Sequence, residues 1–120
     1  MKAALRPGGT LALGDVYLAR PAPSEVLERE GWAGLRPLPD LHADLEEAGL
    51  ELVGLISSSV DDWDRYSSLM WKATHDWAAA NPTHLDRAEV LDRVREGRAR
   101  YLRFERDHLG WAILVARERA

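Results

Sequence analysis

The chain has 120 residues, 46% of them hydrophobic and 30% charged, with a formal net charge of -4 and no cysteine. That length and apolar share suit one compact domain and exclude a disordered chain, while the lack of cysteine excludes disulfide scaffolds, cysteine nucleophiles and thiolate metal sites. Lysine occurs only at Lys2 and Lys72, which argues against binding a nucleic-acid backbone, and no apolar run approaches the roughly 18 residues of a membrane span, so the cytoplasm is the expected location.

Met1 to Leu5 read as the last turn of a helix whose beginning is absent, broken by Arg6-Pro7-Gly8-Gly9. Thr10 to Leu18 follows, apolar on both faces until Asp15, as in a buried parallel strand. Past Arg20-Pro21-Ala22-Pro23, Ser24 is expected to cap a short helix over Glu25 to Glu30 that Gly31 stops. Asp40 stands where an N-cap belongs, Leu41, Leu45 and Ala48 recur at helical spacing, and Gly49 ends that helix. Leu50 to Ile56 is the second strand. Strand, crossover helix, strand is the grammar of a parallel sheet with a right-handed connection.

Ser57-Ser58-Ser59 and Asp61-Asp62 open a long helix that runs through Ala80 to Asn81-Pro82. Its expected inward stripe is Trp63, Tyr66, Met70, Ala73 and Trp77, with Trp71 and His75 on a different face. Asp86 and Glu89 predict a capping box for a second helix whose stripe is Val90, Leu91, Val94, Tyr101 and Leu102. Arg93, Arg95, Arg98, Arg100, Arg103 and Arg106 interleave with Glu89, Asp92, Glu96, Glu105 and Asp107, which predicts a salt-bridged, solvated face and no nucleic-acid surface. Gly110 to Ala116, apolar on both faces, reads as a strand inside a sheet, and Arg117 to Ala120 as a solvated tail.

Three stretches carry a resemblance. Leu5-Arg6-Pro7-Gly8-Gly9-Thr10-Leu11 is similar to a turn leading into a fifth strand, Leu45 to Val53 to a helix end and sixth strand, and Gly110 to Arg117 to a seventh. In that order they cover nearly the whole chain and resemble the carboxyl-terminal half of a class I S-adenosylmethionine-dependent methyltransferase. The resemblance implies an α/β fold: the C-terminal part of a Rossmann-like methyltransferase sheet, three strands with the last antiparallel in the middle, and a two-helix insertion over Ser57 to Leu109. It implies S-adenosyl-L-methionine as cofactor, held in the family by a Gly-rich loop after the first strand and an acidic residue after the second. Neither segment has a counterpart here, and Gly8-Gly9 precedes a strand, so the resemblance assigns no cofactor-binding residue to this chain.

Asp15 and Tyr17 lie near the carboxyl end of the first strand, where open α/β sheets bind ligands, and could orient an amine or hydroxyl or take its proton. The plainer alternative is that Asp15 caps a strand end and Tyr17 packs. Both ends of the insertion are expected at that same rim, which makes it a candidate lid with Trp71, then Tyr66 and Trp63, nearest the substrate. The alternative is that these aromatics are helix core. His75 is a candidate proton acceptor, and His42, His75, His84 and His108 show no metal-binding spacing. Two functions remain open. One is the substrate-side half of a small-molecule methyltransferase, inactive without a missing N-terminal half; the other is a non-catalytic binding or dimerisation module derived from one. In either case the Thr10 to Leu18 strand is expected to have an unsatisfied edge that recruits a homodimer partner or the missing half.

Overall fold

A computed structural model describes residues 6–119, so the helix end expected over Met1 to Leu5 lies outside the described residues. The chain divides into two compact units, one formed by the residues up to Ser58 with those from His108 onward, the other by Ser59–Asp107.

The first unit holds β1 (Thr10–Leu18), α1 (Ser24–Arg29), α2 (Leu38–Glu47), β2 (Leu50–Ser57) and β3 (Leu109–Glu118). The strands form one sheet in the order β1-β3-β2, with β3 antiparallel to both neighbours, so β1 and β2 run parallel as the sequence predicts. The middle place belongs to the strand with the best buried side chains, Ala112, Leu114 and Ala116. These meet Leu45 and Leu50, with Leu11, Leu13, Tyr17, Leu38, Leu41 and Leu52 packed against the cluster. The expected burial of β3 on both faces is corrected, because side chains alternate along a strand. Trp111, Ile113 and Val115 stand on the other face, across from Val16, Gly14 and Ala12 of β1. None of these six belongs to the core cluster, and Trp111 is 37% exposed.

Two caps differ from expectation. The N-cap of α1 is Pro23, with no side-chain bond from Ser24, which is itself the first helical residue. α2 starts two residues ahead of Asp40, with Pro37 as N-cap and Pro39 in the first turn. A proline fits there because the first N–H groups of a helix have no partner to lose, and Asp40 instead favours the positive end of the helix dipole. Gly49 closes α2 at φ +77°, a conformation that needs a glycine.

The second unit holds α3 (Val60–Ala80), α4 (Arg87–Arg100) and a π-helical turn (Tyr101–Glu105), which leads into α5 (Arg106–His108). Ser59 caps α3 reciprocally with Asp62: the serine hydroxyl accepts the Asp62 N–H and the carboxylate accepts the Ser59 N–H, both at 3.1 Å. The Ser59 N–H first, then its hydroxyl, hold the Asp62 carboxyl below the usual carboxylate range. The capping box expected at Asp86 does not form. Asp86 has φ -91° and ψ 1°, away from the extended conformation in which a cap turns back on its helix, and Glu89 is bonded to Arg93 at 2.8 Å.

The helical stripes also shift. Tyr66 and Met70 are 64% and 54% exposed, whereas Ala78 is buried and Trp63 and Trp71 both lean on Tyr101. Leu102, expected inside, is 58% exposed, and Phe104 is buried in its stead. The change falls within the π-turn, whose wider turn does not keep the 3.6-residue phase on which the expected stripe was counted.

Candidate functional site

The end of the sheet where β1 and β2 finish and β3 begins gathers side chains from all three strands. Tyr17 of β1 stands opposite Gly110 of β3, and Ser57 of β2 opposite Ala112. A Cβ at position 110 would sit 2.4 Å from Tyr17 Cζ and 2.7 Å from its hydroxyl oxygen, so the phenol crosses the middle strand through space that only glycine leaves open. It thereby meets Ser57 Oγ at 3.0 Å. The result is a hydroxyl pair spanning β1 and β2, able both to donate and to accept. Asp15, two residues earlier, shares that face of β1 by the strand's period of two. It is exposed, and its Oδ1 accepts the Val16 N–H at 2.8 Å, which is what a strand-end carboxylate needs. A carboxylate on the same strand face as a fixed phenol can orient an amine or hydroxyl and accept its proton.

In the helical unit, Tyr101 is the hub. Its ring meets Trp71 edge-on at 5.8 Å and Trp63 at 6.5 Å, centroid to centroid. Its hydroxyl donates to Asp64 Oδ1 at 2.6 Å, and Arg106 grips the same carboxylate through Nε at 3.0 Å and Nη2 at 3.1 Å. Burial first, then the bonded carboxylate, pushes the Tyr101 phenol up to about 12. The Arg106 and Tyr101 hydrogen bonds hold the Asp64 carboxyl below its usual range. The indole N–H of Trp63 is buried with no acceptor among the described residues.

The candidate residues therefore fall into three groups. Asp15 and Tyr17 share the sheet face, Trp63 and Trp71 share Tyr101, and Tyr66 points outward alone. The placement of Trp71 corrects its assignment to a face apart from Trp63. Sequence reasoning missed Ser57 and Gly110, whose roles depend on strand register, and Asp64 with Arg106, which lie far apart in the chain. The salt-bridged face is as expected: Arg93 pairs with Glu89 and Arg95 with Asp92 at exposed positions, where such pairs contribute little. His75 lies beside Arg98, and His84 lies edge-on to Trp77 at 5.1 Å.

The residues do not fit the glycine-rich grip that the family uses for S-adenosyl-L-methionine. That grip needs a strand, a glycine turn and then a helix. Here β1 leads through Ala19 and Arg20 to proline, and β2 leads through Ser58 and Ser59 into α3. The left-handed glycines Gly8, Gly31, Gly34 and Gly49 precede β1, follow α1, lie between helices and end α2. Among the described residues no group of three or more histidine and carboxylate side chains is arranged to hold a metal ion, and no described helix is long and apolar enough to cross a membrane.

No protein-family profile matches the chain. It is 29% identical over 119 residues to the uncharacterized protein YjhP of Escherichia coli strain K12, covering 94% of this chain and 48% of that protein. Among solved structures, it matches a SAM-dependent methyltransferase from Geobacter sulfurreducens in complex with S-adenosyl-L-homocysteine at 30% identity and TM-score 0.87, covering 97% of this chain and 48% of the other. The X-ray structure of YjhP matches at 28% identity and TM-score 0.87, covering 97% and 49% of the two chains. A SAM-dependent methyltransferase from Thiobacillus denitrificans, also with S-adenosyl-L-homocysteine, matches at 26% identity and TM-score 0.86, covering 97% and 48%. The chain spans about half the length of the relatives it matches.

Proposed function

The chain has the fold of the carboxyl-terminal half of a class I S-adenosylmethionine-dependent methyltransferase, and from that premise we propose that it is the acceptor side of a small-molecule methyltransferase acting in the cytoplasm. The observation that supports this most is the match of nearly all of the chain to half of enzymes crystallised with S-adenosyl-L-homocysteine. In this reading the cofactor, which supplies the methyl group, is held by residues outside these 120, and the chain alone does not turn over. Methyl transfer depends chiefly on holding the acceptor in line. Tyr17, fixed by Ser57, orients the acceptor on the sheet, and the Asp15 carboxylate takes the proton that the acceptor loses. Trp63, Tyr66 and Trp71 on the helical unit, residues 57–109 counted with their connections, serve as a lid that excludes water.

The test is kinetic, in the enzyme completed by its cofactor-binding half. Trp71→Ala should raise KM or lower kcat several-fold, of the order of 1 kcal/mol in transition-state binding, with cofactor affinity nearly unchanged. Unaltered kinetics with a lowered melting temperature would assign Trp71 to packing and end the lid reading.

A second reading, a non-catalytic dimerisation module, is favoured by one observation. Among the described residues β1 has β3 as its one strand partner, so apart from the Leu18 N–H, which Arg36 O accepts at 2.9 Å, its outer edge offers backbone groups, and a strand edge of that kind recruits another strand. The same edge would receive a strand of the cofactor-binding half. Light scattering on the chain alone should show a homodimer that the complementary half displaces. A monomer at every concentration tested would remove the dimerisation reading.

A further inference from the structure

The geometry points to an oxyanion-binding site in the helical unit, built on Arg98 of α4 with Trp71 and His75 of α3. Arg98 is partly buried, its guanidinium carbon 6.0 Å from the centroid of the Trp71 ring, and its Nη1 meets His75 Nε2 at 3.3 Å. Because a guanidinium only donates, His75 Nε2 is the acceptor in that bond. Trp71 and His75 are one helical turn apart, so together they hold the guanidinium from its flat side and from one nitrogen.

Arg87 bonds a backbone carbonyl and the buried Nε of Arg100 has no partner, so among the described arginines of α4 it is the Trp71 face and the His75 bond that distinguish Arg98. Arg93 and Arg95 of the same helix are paired with Glu89 and Asp92, and Arg106 is paired with Asp64. Arg98 has no carboxylate within ion-pair distance among the described residues. A partly desolvated cation without a counter-charge is costly, and it is retained where something else supplies the charge. The guanidinium carries five N–H donors and one bond to His75 uses one of them. The edge formed by Nε and Nη2 is left, and that edge matches two oxygens of a carboxylate or phosphate. The ligand is therefore a small molecule bearing an oxyanion.

The site lies wholly within the helical unit and goes beyond the acceptor reading, since binding of an oxyanion needs no cofactor. A failed methyl-transfer assay leaves the site standing, and a failed titration leaves methyl transfer standing.

The experiment is an NMR titration of the 120-residue chain with inorganic phosphate and, separately, with benzoate at constant ionic strength. It follows the Trp71 indole N–H and the Arg98 Nε–H. At least one anion should give a saturable shift of both signals, and the one that saturates at the lower concentration identifies phosphate or carboxylate as the preferred group. Arg98→Gln should weaken that binding by about tenfold or more, as expected for loss of a charged, two-point contact. Arg93→Gln, which removes a paired and exposed arginine, should leave it unchanged. Should Arg98→Gln fail to fold, Arg98→Lys keeps the charge and stem but loses the fork, and should still weaken benzoate binding by roughly threefold or more. Absence of a saturable shift with both anions, or equal binding by the wild type and the folded Arg98 variant, would overturn the site.

Discussion

Tyr101→Ala should destabilise the helical unit by about 3–5 kcal/mol, the range for deleting a buried aromatic side chain. The residue is 4% exposed, and its ring is the common contact of Trp63 and Trp71. Truncation removes that contact and also deprives the Asp64–Arg106 pair of its third member. Urea unfolding followed by tryptophan fluorescence measures the loss, and Tyr101→Phe should show only about 1.5–3 kcal/mol of it, the share of one hydrogen bond to a charged acceptor. The phenol also gives the effect a pH signature. Its ionisation is pushed up to about 12 in the folded chain, against about 10 unfolded. The unfolded chain therefore releases this proton first as pH rises. The stabilisation is whole below about pH 10 and is lost between about 10 and 12, a decline that Tyr101→Phe should abolish. The depressed Asp64 carboxyl has the opposite sense, stabilising above its unfolded value and losing that contribution as pH falls. A Tyr101→Ala loss below 1 kcal/mol would mean that the tryptophans are held by something else.

Gly110→Ala should cost about 1–3 kcal/mol, as overpacking of a tight site does, and should release Tyr17 from Ser57. The added methyl would stand 2.4 Å from the tyrosine ring, so the ring must leave its place across β3. Gly14→Ala makes a comparison on the opposite face. There the clash is with Trp111 at 2.6 Å, but that ring is 37% exposed and can turn into solvent, so the cost should be smaller. The diagnostic result is the double variant. Tyr17→Ala removes the ring that Gly110→Ala displaces, so the pair should be markedly less destabilised than the sum of the two single changes, as residues in contact are. Additive costs would show that Tyr17 does not occupy the space over Gly110.

The strands, their order and the antiparallel middle strand were legible because each depends on local signals or on a resemblance that runs through the whole chain. Thr10 to Leu18 begins at a Pro-Gly-Gly turn, and Gly49 separates a helix from the strand that follows it. The site was only partly legible. Asp15 and Tyr17 could be placed at a strand end by counting, but nothing in the sequence near Tyr17 shows that Ser57, 40 residues away, meets its hydroxyl. That contact exists because two strands are each paired to a third in a fixed register. The stripe that runs on from α4 was misread for a different reason: helical periodicity assumes a constant turn, and the π-turn at Tyr101–Glu105 changes it. Along α3 the reason is the partner: Trp71, which periodicity set apart from Trp63, is eight residues from it, and the Tyr101 ring reaches both.

The central claim, that these residues form the acceptor side while the cofactor is held elsewhere, is tested most directly by calorimetric titration of S-adenosyl-L-homocysteine. The chain alone should give no binding heat, because none of its described strand-to-helix connections carries the glycine turn that the cofactor's grip requires. The same chain mixed with its cofactor-binding half should give saturable binding. Tight binding by the 120 residues alone would contradict the account, since it would place a cofactor site in a chain where none of the described left-handed glycines, Gly8, Gly31, Gly34 and Gly49, follows a strand into a helix.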